Sequence, residues 1–311
     1  MTHSPSHWVD PNPRDTVEPR NKALLVVSGV VLTALVIVTF ITVVVVSARS
    51  RDRAPGSPDL LLIAANATTT DPFSRSILVA PVAISDSASA MTAELIQQVP
   101  VRTDRGVRVV SGKLPGLYGT AGETNPCDAV TLANDLDREP AIARVWGLAL
   151  GITPQQIPHY LNTLTPVILL ADTWVTAHTL VDGITEQYQA VLQKGNGVLV
   201  DPLGVPRVHC AGGSPLIPPD AAAFGSFRLV GERWADFDPL RIVAINYGAA
   251  DPPPTRSALT LVDIGTGQRV IRPSGNTIDP PGTAVPLPDP AAMNVPPSNR
   301  EEETDEHKPQ P

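Results

Sequence analysis

Aromatic side chains make up only 4 % of this 311-residue sequence, and lysine and cysteine are rarer still. Four of the 23 basic residues are lysine and the net charge is −8, so no basic face offers itself to nucleic acid phosphates. The two cysteines, Cys127 and Cys210, lie 83 positions apart, which lacks zinc-ligand spacing. Also missing are His-Glu-x-x-His, Gly-x-Ser-x-Gly and a phosphate-cradling glycine loop. These absences leave no metal, no cofactor and no nucleic-acid partner to expect.

One feature is abundant where most chains have none. Ala23 to Ser47 is an uncharged apolar run of 25 residues. As a helix it is about 37 Å long, enough to cross a bilayer core of about 30 Å with some tilt. It is longer than the apolar region of a signal peptide, and it runs into Arg49 rather than a small-residue cleavage site. The run predicts a retained anchor and a bilayer partner. Three basic residues (Arg14, Arg20, Lys22) precede it and three (Arg49, Arg51, Arg53) follow, so charge gives no orientation.

The cysteines bear on orientation instead. Two thiols in a reducing compartment need no explanation, since buried cysteine is a common small hydrophobe. A single pair beside turn and helix-start signals fits one structural disulfide in an oxidising compartment. That bridge would be worth up to about 4.5 kcal/mol in the chain-entropy account. It would put the large C-terminal part outside the cytoplasm. Free thiols would allow the inverse topology.

Along the chain the expected organisation is a disordered cytoplasmic tail (1–22), a transmembrane helix (23–47), a charged linker (48–58) and an extracytoplasmic domain (59–274) of one or two subdomains. A disordered, proline-rich acidic tail (275–311) follows. The domain begins with apolar strand signals at 60–64 and 76–82. A helix over 88–98 and a strand over 107–110 come next. Asp128 caps a helix over 129–137, a second helix runs from Pro140 to the stop at Gly151, and Thr153-Pro154-Gln155-Gln156 opens a third reaching about Leu164. Strands are then expected at 167–170, around 174–192, in a hairpin over 197–210, and at 226–230, 241–246, 258–264 and 268–272. The fold class is α+β: mainly antiparallel strands with an inserted small helical cluster, preceded by one transmembrane helix.

A string of short motifs runs through this domain. It comprises Gly116-Leu117-Tyr118-Gly119, Cys127-Asp128, Leu164-Thr165-Pro166-Val167, Ala171-Asp172-Thr173, Val198-Leu199-Val200-Asp201, Gly204-Val205-Pro206-Arg207-Val208, and Cys210 with Pro215-Leu216. With Asp71-Pro72-Phe73 upstream, it resembles, over residues 60 to 220, a domain of unknown function (DUF6777-like) of actinobacterial membrane-anchored proteins. In that family the second cysteine site often reads Cys-x-Cys-Gly-Asn-Pro-Leu. Here Gly212 stands at the second cysteine and Gly213-Ser214 at Gly-Asn, leaving an even pair. The resemblance implies an extracytoplasmic location and no established activity.

The sharpest catalytic arrangement the residues allow has Cys210 as nucleophile, His178 or His209 as base and Asp172 as orienter. Strand alternation would point His209 and Cys210 to opposite faces, and an oxidised Cys210 cannot attack. No catalytic residue is therefore assigned. Trp146, Trp174 and Trp234 suit core anchors better than a sugar or peptide groove. The functional expectation is a single-pass membrane-anchored envelope protein with a non-catalytic binding or accessory domain. Its partner would be an envelope protein or cell-wall component, and the alternative is an envelope hydrolase or transferase with an unrecognised site.

Overall fold

The computed structural model describes residues 57–79, 83–247 and 258–293. The expected tail 1–22, transmembrane helix 23–47 and linker up to residue 56 lie outside the described residues. No helix among the described residues is long and apolar enough to cross a membrane.

The chain from Pro58 onward is mixed α/β and rich in sheet. Thirteen strands join one sheet: β1 (Asp59–Ile63), β2 (Arg108–Ser111), β3 (Tyr118–Thr120), β4 (Thr165–Leu169), β5 (Thr173–Val181), β6 (Ile184–Leu192), β7 (Gly197–Val200), β8 (Pro206–His209), β9 (Ser214–Ile217), β10 (Arg228–Val230), β11 (Val243–Asn246), β12 (Ala258–Asp263) and β13 (Arg269–Pro273). Their main path is β10-β1-β6-β5-β9-β8-β7-β4-β3-β12-β13, with β11 and β2 branching from β5. Hairpin neighbours β5–β6, β7–β8, β8–β9 and β12–β13 are antiparallel. The long crossovers are parallel: β1 with β6 and β10, β11 with β2 and β5, and β12 with β3.

Four α-helices are described: α1 (Asp86–Gln97), α2 (Ala129–Arg138), α3 (Pro140–Leu150) and α4 (Ile157–Thr163). The last three are inserted between β3 and β4. Asp128 caps α2, its Oδ1 accepting from Thr131 N at 2.9 Å and its Oδ2 from the Thr131 hydroxyl at 2.7 Å. Pro140 opens α3, and Gly151 closes it in the left-handed region. Thr153 N donates to Gln156 Oε1 at 2.8 Å, so the capping-box sequence starts a single 3₁₀ turn that runs on into α4.

Four hydrophobic clusters fill the interior. The helical one joins Leu132, Leu136, Trp146, Tyr160 and Leu161 to Val208 and both cysteines. Trp146 and Trp174 are fully buried. Trp146 Nε1 donates to Gly213 O at 2.8 Å, so its polar tip is satisfied inside the core.

Two expectations need correction. Residues 76–79 form one isolated bridge, Leu78 with Cys127, rather than a strand, because Ile77 is held from the side by Cys210 O; residues 80–82 lie outside the described residues. The segment 276–293, expected to be disordered, runs over the helical cluster. Thr277 Oγ1 donates to Leu161 O at 3.0 Å and Gln156 Nε2 donates to Pro286 O at 2.7 Å. Ile278, Leu287 and Met293 pack on that cluster. Apolar residues spaced among prolines were enough to seat an extended segment on a preformed surface. The rest of the expected tail lies outside the described residues.

Candidate functional site

The three residues nominated for catalysis do not come together. Asp172 immediately precedes β5 and His178 lies six residues further on, about 20 Å along an extended strand. Cys210 is bonded to Cys127, with Cα atoms 6.0 Å apart, and carries no thiol. Both cysteines are buried. The bridge sits against Gly197, where an added Cβ would meet Cys127 Sγ at 3.0 Å and Leu78 Cδ2 at 2.6 Å. His178 Nδ1–H donates to Pro215 O at 3.1 Å, and burial pulls its pKa down.

Asp172 is nevertheless in an unusual place. Its Oδ1 accepts from Lys194 N and its Oδ2 from Trp234 Nε1, both at 2.9 Å. Burial raises its pKa, opposing those hydrogen bonds. Asp236 stands nearby and is held below the usual range by the Lys194 ammonium, 2.5 Å from its Oδ2. With Ser89 and Arg241 these groups line a recess of about 30 Å³, room for a water or two.

A second polar cluster lies under the β7–β8 turn. Asp201 and Arg207 are completely buried. Arg207 Nε donates to the Tyr160 hydroxyl at 2.8 Å and Nη1 to the Tyr247 hydroxyl at 3.3 Å. Tyr247 in turn donates to Asp201 Oδ2, while Asp201 Oδ1 accepts from Leu203 N at 2.9 Å and Val205 N at 3.0 Å. Burial raises the pKa of Asp201 and pushes Tyr160 up to about 12. Nη2 of Arg207 has no hydrogen-bond partner among the described residues. On its other side Tyr160 walls a cavity of about 320 Å³, completed by Thr163, Pro202 and the segment Leu287–Pro290. That volume falls at the lower end of small-ligand sites.

Sequence reasoning missed this second cluster, though one signal was present. Arg207 sits between Pro206 and Val208 in a strand buried along its whole length, a position where a charge must be paired. Nothing in the sequence brings Tyr160 and Tyr247 to it, since they lie 47 and 40 residues away. His209 follows alternation as expected: its Nε2–H donates to Asn196 Oδ1 at 2.9 Å, away from the disulfide. Among the described residues no group of three or more His, Cys, Asp or Glu side chains is placed to hold a metal ion.

No curated protein and no solved structure matches this chain. A family described as Domain of unknown function (DUF6777) matches residues 108–275, more than half of the sequence. The match takes in the motif string from Gly116 to Leu216, leaves out Asp71-Pro72-Phe73, and continues past residue 220 through β10 to β13. On that match, the chain belongs to the DUF6777 family.

Proposed function

We propose that this chain is a single-pass membrane-anchored envelope protein whose domain from Asp59 onward is a non-catalytic binding module outside the cytoplasm. The carrying observation is the cavity at Tyr160. Its aromatic wall is fixed from behind by Arg207, three prolines and Leu287 supply most of its remaining lining, and among the described residues Asp289 is the one acid in it. Such a wall suits an uncharged, largely apolar body. The buried disulfide supports an oxidising compartment, and the apolar run Ala23 to Ser47 supports the anchor.

Two measurements test the reading. Denaturing alkylation of protein from intact cells should label Cys127 and Cys210 only after reduction; labelling without reductant would overturn the topology. A photo-cross-linking residue placed at Thr163 should capture an envelope component in those cells, and the absence of any adduct would remove the binding role.

One observation favours the hydrolase or transferase alternative: Asp172 and Asp236 carry pKa values pushed in opposite directions, as an acid and base pair requires. That reading predicts an Asp172→Asn protein that stays folded and loses turnover. A binding module predicts unchanged capture at Thr163.

A further inference from the structure

The main sheet path ends at β10 and β13, and the two ends differ. At β10, Leu229 packs into a core cluster and Arg228 is tied to Asp59 of the neighbouring β1, Nη2 to Oδ1 at 2.6 Å. At β13, the outer edge has no partner strand among the described residues. Its central residue, Ile271, is 74 % exposed, more than any other large hydrophobic residue described. An open strand edge is a template for another strand, and natural proteins guard it with charge or proline. The guard here is incomplete. Arg272 is turned inward, donating to Asn125 Oδ1 at 3.1 Å and Gly122 O at 2.8 Å. Pro273 closes only the end of the strand.

We propose that β13 pairs with β13 of a second copy, antiparallel and two-fold symmetric about Ile271. That register places Ile271 opposite itself, Val270 opposite the partner's Arg272 and Arg269 opposite the partner's Pro273, so no like charges face each other. A strand from an unrelated protein would have to match an apolar centre flanked by arginines, whereas a second copy matches it by symmetry. Five residues a side bury far less than the roughly 1,200 Å² of a stable interface, so the dimer is weak and grows with concentration.

The test uses the full chain in detergent and in membranes. Ile271→Cys places the new thiols on the two-fold axis with Cα atoms about 4.5–5.5 Å apart, inside disulfide range. The native cysteines are already bonded and do not compete. Mild oxidation should give a covalent dimer for Ile271→Cys and at least about tenfold less for Ile184→Cys, an exposed residue at a hairpin tip. In sedimentation across a concentration series, the wild-type dimer should grow with concentration. Ile271→Lys and Ile271→Thr should remain monomeric with an unchanged melting temperature. Equal cross-linking at the two positions, or a dimer that survives Ile271→Lys, overturns the proposal, as does a wild-type chain that stays monomeric throughout.

Discussion

His209, at the end of β8, shows what a single buried side chain does to stability. Its ring donates to Asn196 Oδ1, which also accepts from Asn66 N at 3.1 Å, while Asn196 Nδ2 donates to Gln193 O at 2.8 Å. Burial disfavours a second, charging ring proton and lowers the pKa from 6.5 to about 4. The unfolded chain therefore takes up the proton first. Stability from His209 is fully present above pH 6.5 and is lost as pH falls from there towards 4. Between pH 7 and pH 5 the loss is about 2 kcal/mol. Buried Asp172 and Asp201, with raised pKa values, act in the opposite direction. The difference between wild type and His209→Gln isolates the histidine, and urea unfolding at the two pH values should show a smaller pH loss in the variant.

At the scale of elements, the segment 276–293 works as a strap across α4. Besides its apolar contacts, Asn276 N donates to Asn162 O at 2.9 Å and Ile278 N to Asn162 Oδ1 at 3.3 Å. A chain ending at Gly275 should keep its sheet but exchange the α4 amides at least about tenfold faster, read by hydrogen exchange with mass detection. Unchanged exchange would mean that the strap adds nothing to α4.

The elements most legible in the sequence were those with local signals. Asp128, Pro140 and Thr153 marked three helix starts because capping chemistry is complete within four residues. The strands expected at 258–264 and 268–272 form the last hairpin, β12–β13. Asp182-Gly183 was as strong a signal and went unread; it forms the two-residue turn of β5–β6, with φ of 49° and 78°. Short β3 and β9 were also unread. The parallel ladders were not legible, because their partners lie far apart in sequence and no local pattern names them. For the candidate site the balance is similar. The cysteine pair followed from counting, whereas the Tyr160–Arg207–Tyr247–Asp201 cluster draws on α4, the β7–β8 hairpin and the end of β11 and emerges only on folding.

For the whole molecule, the disulfide ties the start of the helical insertion to the strand region after β8. It spans 83 residues, so replacing both cysteines by serine should lower the unfolding free energy by up to about 4.5 kcal/mol, measured by urea titration. A loss below about 1 kcal/mol would show that the buried packing around Gly197 holds the two segments without the bond.

The position of β1 governs the order in which the molecule can be made. It is the first strand of the sheet in chain order, yet it lies between β6 and β10, with Leu60 beside Gln189 and Asp59 beside Arg228. A ribosome adding about 5–20 residues per second takes roughly 10 to 30 seconds to travel from β1 to β10. Through that interval Leu60, Leu61, Leu62 and Ile63 have been synthesised but cannot complete their pairing, and any other unpaired strand nearby competes for them. In a nascent chain the first strand therefore gains one neighbour once β6 has emerged and stays open on its other edge until residue 230 has been added.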